Sequence, residues 1–388
     1  MENFEEKTCL CALNRIFGFE PKMTHALISN LGSASEVFRL KDKDIDRILG
    51  PYSRHRGKIC SESVEKAARE LEKLARIDTT FIGYTEQGYP ELLRHCADAP
   101  AGLYVRSRTP VEKLFGSRRS IAVVGTRNIS PYGREWCERI VRSLGDCSPA
   151  PMIISGLALG TDYCAHKTAL DSGIPTIGVM ATGPETIYPI RHRRIAEDMV
   201  QTPGCALVTD YPPGTAPLAI HFLRRNRIIA GLSEAVILTE SRSKGGGMMT
   251  ARLAFSYDRG VYALPGRVDD PFSQGCNELI AGGTAEALVS MERLTESLRL
   301  TYGLGKNAAS IAEIIAGRYG SDSDDEHLKT MENILRTIRS RRGITVEELA
   351  DEVMIPYRKA VEITGILAID GFITTDLLQR CSINPKFM

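Results

Sequence analysis

Six short apolar runs, each closed by Gly, Pro or Ser, constrain this chain more than any other feature. They are Ser120–Val124, Met152–Ile154, Thr176–Met180, Ala206–Thr209, Ala235–Thr239 and Val261–Leu264. Most are followed by a helical pattern. Short continuous β-branched runs alternating with helices indicate a parallel sheet covered on both faces. The expected fold class is α/β: an extended, Rossmann-like, doubly wound parallel sheet. The stretch Phe81–Arg106 carries an extended piece and a Gly-Tyr-Pro turn, and reads as an extension of that core.

The flanks follow other rules. Residues 1–76 read as helices only, because Leu10, Leu13, Ile16 and Phe17 recur at helical spacing, as do Leu27, Ile28 and Leu31. This pattern fits a small SAM-like or helix-hairpin-helix bundle, a type that contacts either DNA backbone or protein. Residues 77–304 form the expected core. Residues 305–326 read as a linker, since the string from Gly320 to Glu326 is small, acidic and polar. Residues 327–388 read as a winged helix. Met331, Ile334, Leu335 and Ile338 line its first helix, and Thr345 and Glu348 have capping-box spacing at its second. The third, Tyr357–Asp370, leads through Gly371 to a strand. It carries Arg358 and Lys359 against Glu362 and Asp370, a weakly basic face that suits a protein partner at least as well as bases.

Charge narrows the class of partner. The 49 Lys and Arg nearly balance the 48 Asp and Glu, so a polycationic protein is excluded. What matters is where the cations cluster. No apolar run approaches the ~18–20 residues of a membrane span. The start, Met1–Lys7, is acidic where a signal peptide is basic. The ten cysteines are scattered, with no C-x-x-C and no zinc-finger spacing. They read as reduced thiols of a cytoplasmic protein, and no metal is expected.

In an open parallel sheet, ligands sit beyond the carboxyl ends of the strands. The loops there are Gly125–Gly133, Ser155–Asp162, Ala181–Pro189, Ser241–Thr250 and Pro265–Arg267. Glycines at helix starts aim backbone N–H groups into the space above the sheet. These loops bring Arg127, Arg191, Arg193, Arg194, Lys244 and Arg267 to one rim, and the helix near 220–232 adds Arg224, Arg225 and Arg227. That many donors match several phosphates. Lys244 beside Gly245, Gly246 and Gly247 is the strongest signal, because three successive glycines are costly in backbone entropy. Arg224 and Arg227 are three apart and share a helical face, which leaves Arg225 open to a structural role. Asp162 and His166, four apart, read as a cap and a packed histidine. Glu240 is a candidate base with no nucleophile near it. No G-x-G-x-x-G, P-loop or G-x-S-x-G string occurs. The rim is built to hold anions, with no means of cutting them, so neither catalysis nor a cofactor is expected.

Seven strings in order resemble the DNA-processing protein A (DprA/Smf) family. They are Val123–Gly133, Ile154–Asp162, Ile187–Pro189, Arg225–Ser233, Glu240–Arg252, Pro265–Gly266 and Gly275–Ile280, within residues 89–288. The resemblance implies an extended Rossmann core that binds single-stranded DNA without sequence preference. It implies a homodimer that loads the RecA recombinase onto that DNA and helps displace single-strand DNA-binding protein, in natural transformation and recombination. It implies a protein that is not an enzyme. Arg127 stands at the family's G-[ST]-R position, an expected phosphate contact. Ser155, Gly156 and Gly160 match the second loop. Lys244, Gly245, Gly246, Gly247 and Thr250 match the [KR]-S-G-[ST]-x-x-T loop. With the rim residues Arg193, Arg194, Arg224 and Arg225, these form the expected nucleic-acid-binding set. Gly245 stands where the family usually has Ser, His192 where Asn is common, and Thr161 where Ile is frequent. Aromatic residues make up 6% of the chain with one Trp, too few for a long stacking platform, so the phosphate backbone is the expected handle.

Two other readings compete. A Rossmann-like nucleotide hydrolase of the lysine-decarboxylase-like phosphoribohydrolase class also holds phosphate on glycine loops. It is expected to carry P-G-G-x-G-T-x-x-E, and Gly245–Arg252 supplies no such glutamate. A regulator that binds duplex DNA through the winged unit is opposed by the weakly basic third helix.

Overall fold

The computed structural model describes residues 5–116, 118–301, 311–320, 324–341, 343–376 and 378–384. The chain divides into two compact units, residues 1–303 and 304–388.

The first unit opens with five helices: α1 (Glu6–Phe17), α2 (Pro21–Leu31), α3 (Ala34–Val37), α4 (Asp42–Leu49) and α5 (Ser61–Leu74). The strands and helices that follow run β1 (Thr79–Gly83), α6 (Glu91–Arg94), β2 (Gly102–Arg106), α7 (Val111–Leu114), β3 (Ser120–Val124) and α8 (Pro131–Gly145). Next come β4 (Met152–Gly156), α9 (Thr161–Asp171), β5 (Thr176–Val179), α10 (Arg193–Gln201), β6 (Ala206–Thr209) and α11 (Ala219–Gly231). The unit closes with β7 (Ala235–Leu238), α12 (Gly246–Ser256), β8 (Gly260–Ala263), α13 (Gln274–Ala281), β9 (Glu286–Ala287) and α14 (Met291–Ser297).

All six expected runs are strands of one nine-stranded sheet, ordered β1-β2-β6-β5-β4-β3-β7-β8-β9. From β3 the chain lays β4, β5 and β6 to one side, then crosses over to place β7, β8 and β9 on the other. The pairs from β6 through β9 are parallel. The point of reversal lies between β3 and β7, where an open α/β sheet leaves a crevice at its carboxyl edge. The expected extension is an antiparallel pair: β1 runs against β2, with Phe81 opposite Tyr104, and β2 runs against β6.

Alternation along each strand feeds two cores. Ala122 and Val124 pack on one face with Leu93, Ile228, Met248 and Leu279, from α6, α11, α12 and α13. Ile121 and Val123 pack on the other with Ile140, Ala165 and Leu294, from α8, α9 and α14. The N-terminal helices share a core with the sheet: Leu10, Leu13 and Phe17 are clustered with Phe81, Ala101 and Tyr104. The Tyr104 hydroxyl donates to Glu70 of α5 at 2.5 Å. All ten cysteines are free, nine of them buried and Cys60 half-buried.

The second unit contains α15 (Ile311–Tyr319), α16 (Asp325–Ser340), β10 (Ile344–Thr345), α17 (Val346–Val353), α18 (Tyr357–Ile369), β11 (Ile373–Thr375) and β12 (Arg380–Ile383). Its strands form a small antiparallel sheet ordered β10-β12-β11. The Thr345–Glu348 capping box forms as its spacing predicts. The stretch expected as a linker is corrected in part: Ile311–Tyr319 is helical, and Ile315 joins Met331, Ile334 and Leu335 in the unit's core. Asp324, within the acidic string, caps α16: its side chain accepts from the His327 amide at 2.7 Å. Residues 305–310 and 321–323 of that stretch lie outside the described residues. Among the described residues, no helix is long and apolar enough to cross a membrane.

Candidate functional site

The crevice between β3 and β7 holds a cleft of about 460 Å³. Its walls are the loop after β3 (Gly125, Thr126, Arg127), Ala158 and Asp162 after β4, the loop after β7 with the start of α12 (Ser241, Arg242, Lys244–Gly247, Thr250), and one face of α11 (Phe222, Leu223, Arg225, Asn226). Of the expected set, the fold brings together Arg127, Arg225, Lys244, Gly245, Gly246, Gly247 and Thr250.

Three helices follow glycine-bearing loops here, and their first turns differ. At α8, the Ser130 side chain accepts from the Gly133 amide at 3.0 Å. Glu240 then accepts from the Ser130 amide at 2.9 Å and from the Ser130 hydroxyl. Glu240 is 1% exposed. Its carboxylate already fills the anion position of α8, which corrects the reading of Glu240 as a candidate base. At α9, Asp162 lies in the first turn and accepts from the Ala158 amide at 3.3 Å. At α12, no side chain caps the helix and its first turn carries no acid. The amides of Gly246 and Gly247 open that helix and have no acceptor within it. The partial positive charge of α12 therefore faces the cleft unneutralised by any carboxylate of its own first turn.

The glycines sort by what surrounds them. A Cβ at Gly247 would lie 2.6 Å from Leu238 Cδ1 and 3.3 Å from Gly125 Cα, so the two loops pass too closely for a side chain. Gly160 takes φ +74°, and its contacts with the Thr126 and Arg127 carbonyls leave no room for a Cβ. A Cβ at Gly246 would meet nothing within 4 Å, and its φ is not in the left-handed region. Packing does not require glycine at 246, and without a side chain its amide is open to close approach.

Cations surround this helix end. Lys244 and Arg127 are exposed. Arg127 lies over the Phe222 ring at 5.3 Å, and Tyr188 meets the same ring at 5.4 Å. Arg242 stacks on Phe272 at 4.8 Å. Arg225 is 4% exposed and donates to the Val179 carbonyl, and its Nε has no partner. Burial pushes its pKa down while Asp162 opposes the shift. Arg242, Phe222 and Asn226 were missed by sequence reasoning. Arg242 shares the loop of Lys244, two residues away, and that was the available signal. Phe222 gives none, because an aromatic on α11 reads as core.

The remaining expected residues lie elsewhere. Ser155 is fully buried and donates to the Val123 carbonyl at 2.6 Å, tying β4 to β3. Gly156 makes room for Arg225 and Asp162, and its carbonyl accepts from His166 at 2.5 Å. Ser155, Gly156 and Gly160 thus shape the cleft from behind and do not line it. Arg193 and Arg194 are exposed on α10, with Arg193 3.5 Å from Glu197, and they do not line the cleft. Arg267 is paired with Asp269 at 2.9 Å. The α11 arginines reverse the expected roles. Arg224 and Arg227 do share a face, but it is the far face of α11. There Arg224 donates to the Phe19 carbonyl and Arg227 is buried in an ion pair with Asp210. Arg225, the presumed structural residue, is the one that reaches the cleft.

His166 is fully buried, with Nδ1 2.7 Å from the Thr176 hydroxyl and Nε2 on the Gly156 carbonyl. Burial pushes its pKa down to about 4. Among the described residues, no group of three or more His, Cys, Asp or Glu is placed to hold a metal ion.

Residues 80–299 match the model of the DNA recombination-mediator protein A family. DNA processing protein DprA of Bacillus subtilis is 34% identical over 253 residues, covering 62% of this chain and 82% of the relative. The X-ray structure of DprA from Streptococcus pneumoniae superposes with a TM-score of 0.62 at 28% identity, covering 76% of this chain and 98% of that one. A Helicobacter pylori DprA structure, described for its single-stranded DNA binding mode, gives a TM-score of 0.51 at 28% identity, covering 58% of this chain and 97% of that one.

Proposed function

Since the chain belongs to the DNA recombination-mediator protein A family, we propose that it binds single-stranded DNA by its backbone at the start of α12. One observation carries this reading: the uncapped, acid-free start of α12 opens into the switch-point cleft beside Lys244, Arg127 and Arg242. A phosphate accepts from the Gly246 and Gly247 amides and is flanked by the cations. Bases stay largely unread, which makes binding tolerant of sequence. The H. pylori relative, described for its single-stranded DNA binding mode, supports the choice of ligand.

No bond is broken in this proposal. Asp162 lines the cleft but, like His166 and Glu240, is engaged within the fold, and α12 brings no acid of its own for a hydrolase. The protein acts instead as a cytoplasmic homodimeric mediator, with two clefts raising avidity for one strand. It hands the strand to a RecA-type recombinase as single-strand DNA-binding protein leaves, during recombination and natural transformation.

The test is anisotropy of a labelled poly-dT strand and a matched duplex over a salt series. The single strand is expected to bind preferentially, with affinity falling steeply as salt rises. Lys244→Ala or Arg127→Ala should weaken binding about tenfold, the scale of one hydrogen bond to a charged group, with thermal stability unchanged. Binding that is flat in salt, or equal for both forms, rejects the mechanism. Loading is read separately, as RecA filament growth on strands precoated with single-strand DNA-binding protein.

A further inference from the structure

We propose a second nucleotide station on the far side of α11, built partly by the N-terminal helices, which receives the single strand as it leaves the α12 cleft. The proposal rests on the binding reading above and adds a path for the strand.

Helix α11 is a ridge with a cleft on each flank. Its Phe222, Arg225 and Asn226 face the α12 cleft. Its Arg224 and Arg227 face a second cleft of about 470 Å³, whose opposite wall is the segment Phe19–Met23 at the α1–α2 corner. Leu223, 42% exposed, forms the rim of the first cleft on this helix, and Ile220, 51% exposed, adds an open apolar side chain at its start. A helix is roughly 10 Å across, a span that a few nucleotides cover.

The second cleft combines an aromatic with cations. Phe19 is 48% exposed, and Arg224 stacks over its ring at 4.4 Å. Lys22 is exposed in the first turn of α2. Arg227, 7% exposed, forms the floor, and its Nε has no hydrogen-bond partner. The two carboxylates of the cleft are already engaged: Glu20 by Arg54 and His55, and Asp98 by the Tyr257 hydroxyl at 2.7 Å. Lys22 thus remains to meet phosphate, Arg224 adds the N–H groups not given to the Phe19 carbonyl, and a base takes the exposed part of the Phe19 ring. An aromatic ring with a guanidinium and an ammonium beside it is a single-strand platform. On this path Arg224 is a nucleic-acid contact, at a different station from Arg225.

Strand length separates the stations. A poly-dT of about 5 nucleotides fills the α12 cleft only, whereas one of about 20 spans both. Phe19→Ala combined with Lys22→Glu is expected to weaken the long strand about tenfold, the scale of one lost base stack, and to leave the short strand unchanged. Lys244→Ala weakens both lengths if the α12 reading holds, so the two readings fail separately. A second measurement avoids dependence on those variants. Phe19→Trp, in a chain whose only tryptophan is replaced (Trp136→Phe), should be quenched by the long strand and not by the short one. Equal affinities of the variant and the parent for the long strand overturn the path. So does quenching by thymidine monophosphate alone, which would make the cleft a mononucleotide pocket.

Discussion

A methyl group added at Gly246 would meet nothing within 4 Å, while one added at Gly247 would press on Leu238 and on the Gly125 backbone. Adjacent residues of one motif therefore serve different ends, and the two alanine variants should differ. Gly246→Ala is expected to keep or slightly raise the melting temperature, since alanine favours a helix by about 0.5–1 kcal/mol, and to lose single-strand affinity. Gly247→Ala should lose stability by about 1–3 kcal/mol through overpacking. Matching losses of stability in both would show that Gly246 is held by packing after all. A second residue prediction concerns acid. His166 has an ordinary value of 6.5 and is held near 4 by burial, so the unfolded chain takes up its proton first as pH falls. The stabilisation is complete above about pH 6.5 and fades toward pH 4, roughly 3 kcal/mol in all. The melting temperature of His166→Gln should fall less steeply across that interval, and parallel slopes would discard the assignment. At this scale the sequence was legible where chain order settles geometry. Lys244 and Arg127 lie at strand ends, so their place followed from the strands. Arg224, Arg225 and Arg227 occupy one helix, and spacing alone does not say which flank faces the crevice. That depends on how α11 rolls against α12 and α6, a tertiary matter.

Among the elements, α8 and α12 both follow glycine loops at the switch point, and only α8 has its first turn closed by a carboxylate. Glu240→Ala should therefore leave the Ser130 amide without its buried acceptor and cost about 1–3 kcal/mol, read as a fall in melting temperature. An unchanged melting temperature would mean that the start of α8 is held by Ser130 alone. The six parallel strands were legible because continuous β-branched runs leave few alternatives. β2 was harder: Gly102–Arg106 mixes Gly, Tyr and Arg, and it is a strand because β1 and β6 flank it. The two-residue β9 is set by its pairing with β8, which no local pattern announces. Helix α15 was obscured by the acidic string after it, in which Asp324 caps α16.

The whole molecule has two units with unlike relations to their neighbours in sequence. Residues 311–384 include a core of their own, built around Met331, Leu335, Leu349 and Leu367. A chain ending at Gly303 is therefore expected to fold and to bind short single strands as the parent does. A large loss of short-strand affinity would place part of the α12 site in the second unit. The first unit is jointed differently. Its N-terminal helices, residues 1–76, were expected as a domain apart from the 77–304 core that includes β1 and β2, and the cluster around Phe17, Phe81 and Tyr104 crosses that boundary. Pattern reading misses such a joint because each side is locally complete. The consequence is one of modularity. The segment from 304 onward can be gained, lost or exchanged as a cassette, with a single crossover and little repair. The first 76 residues cannot. A lineage that discarded them would uncover Phe81, Ala101 and Tyr104 at once, and would need compensating polar changes on β1 and β2 before the shortened gene gave a soluble product.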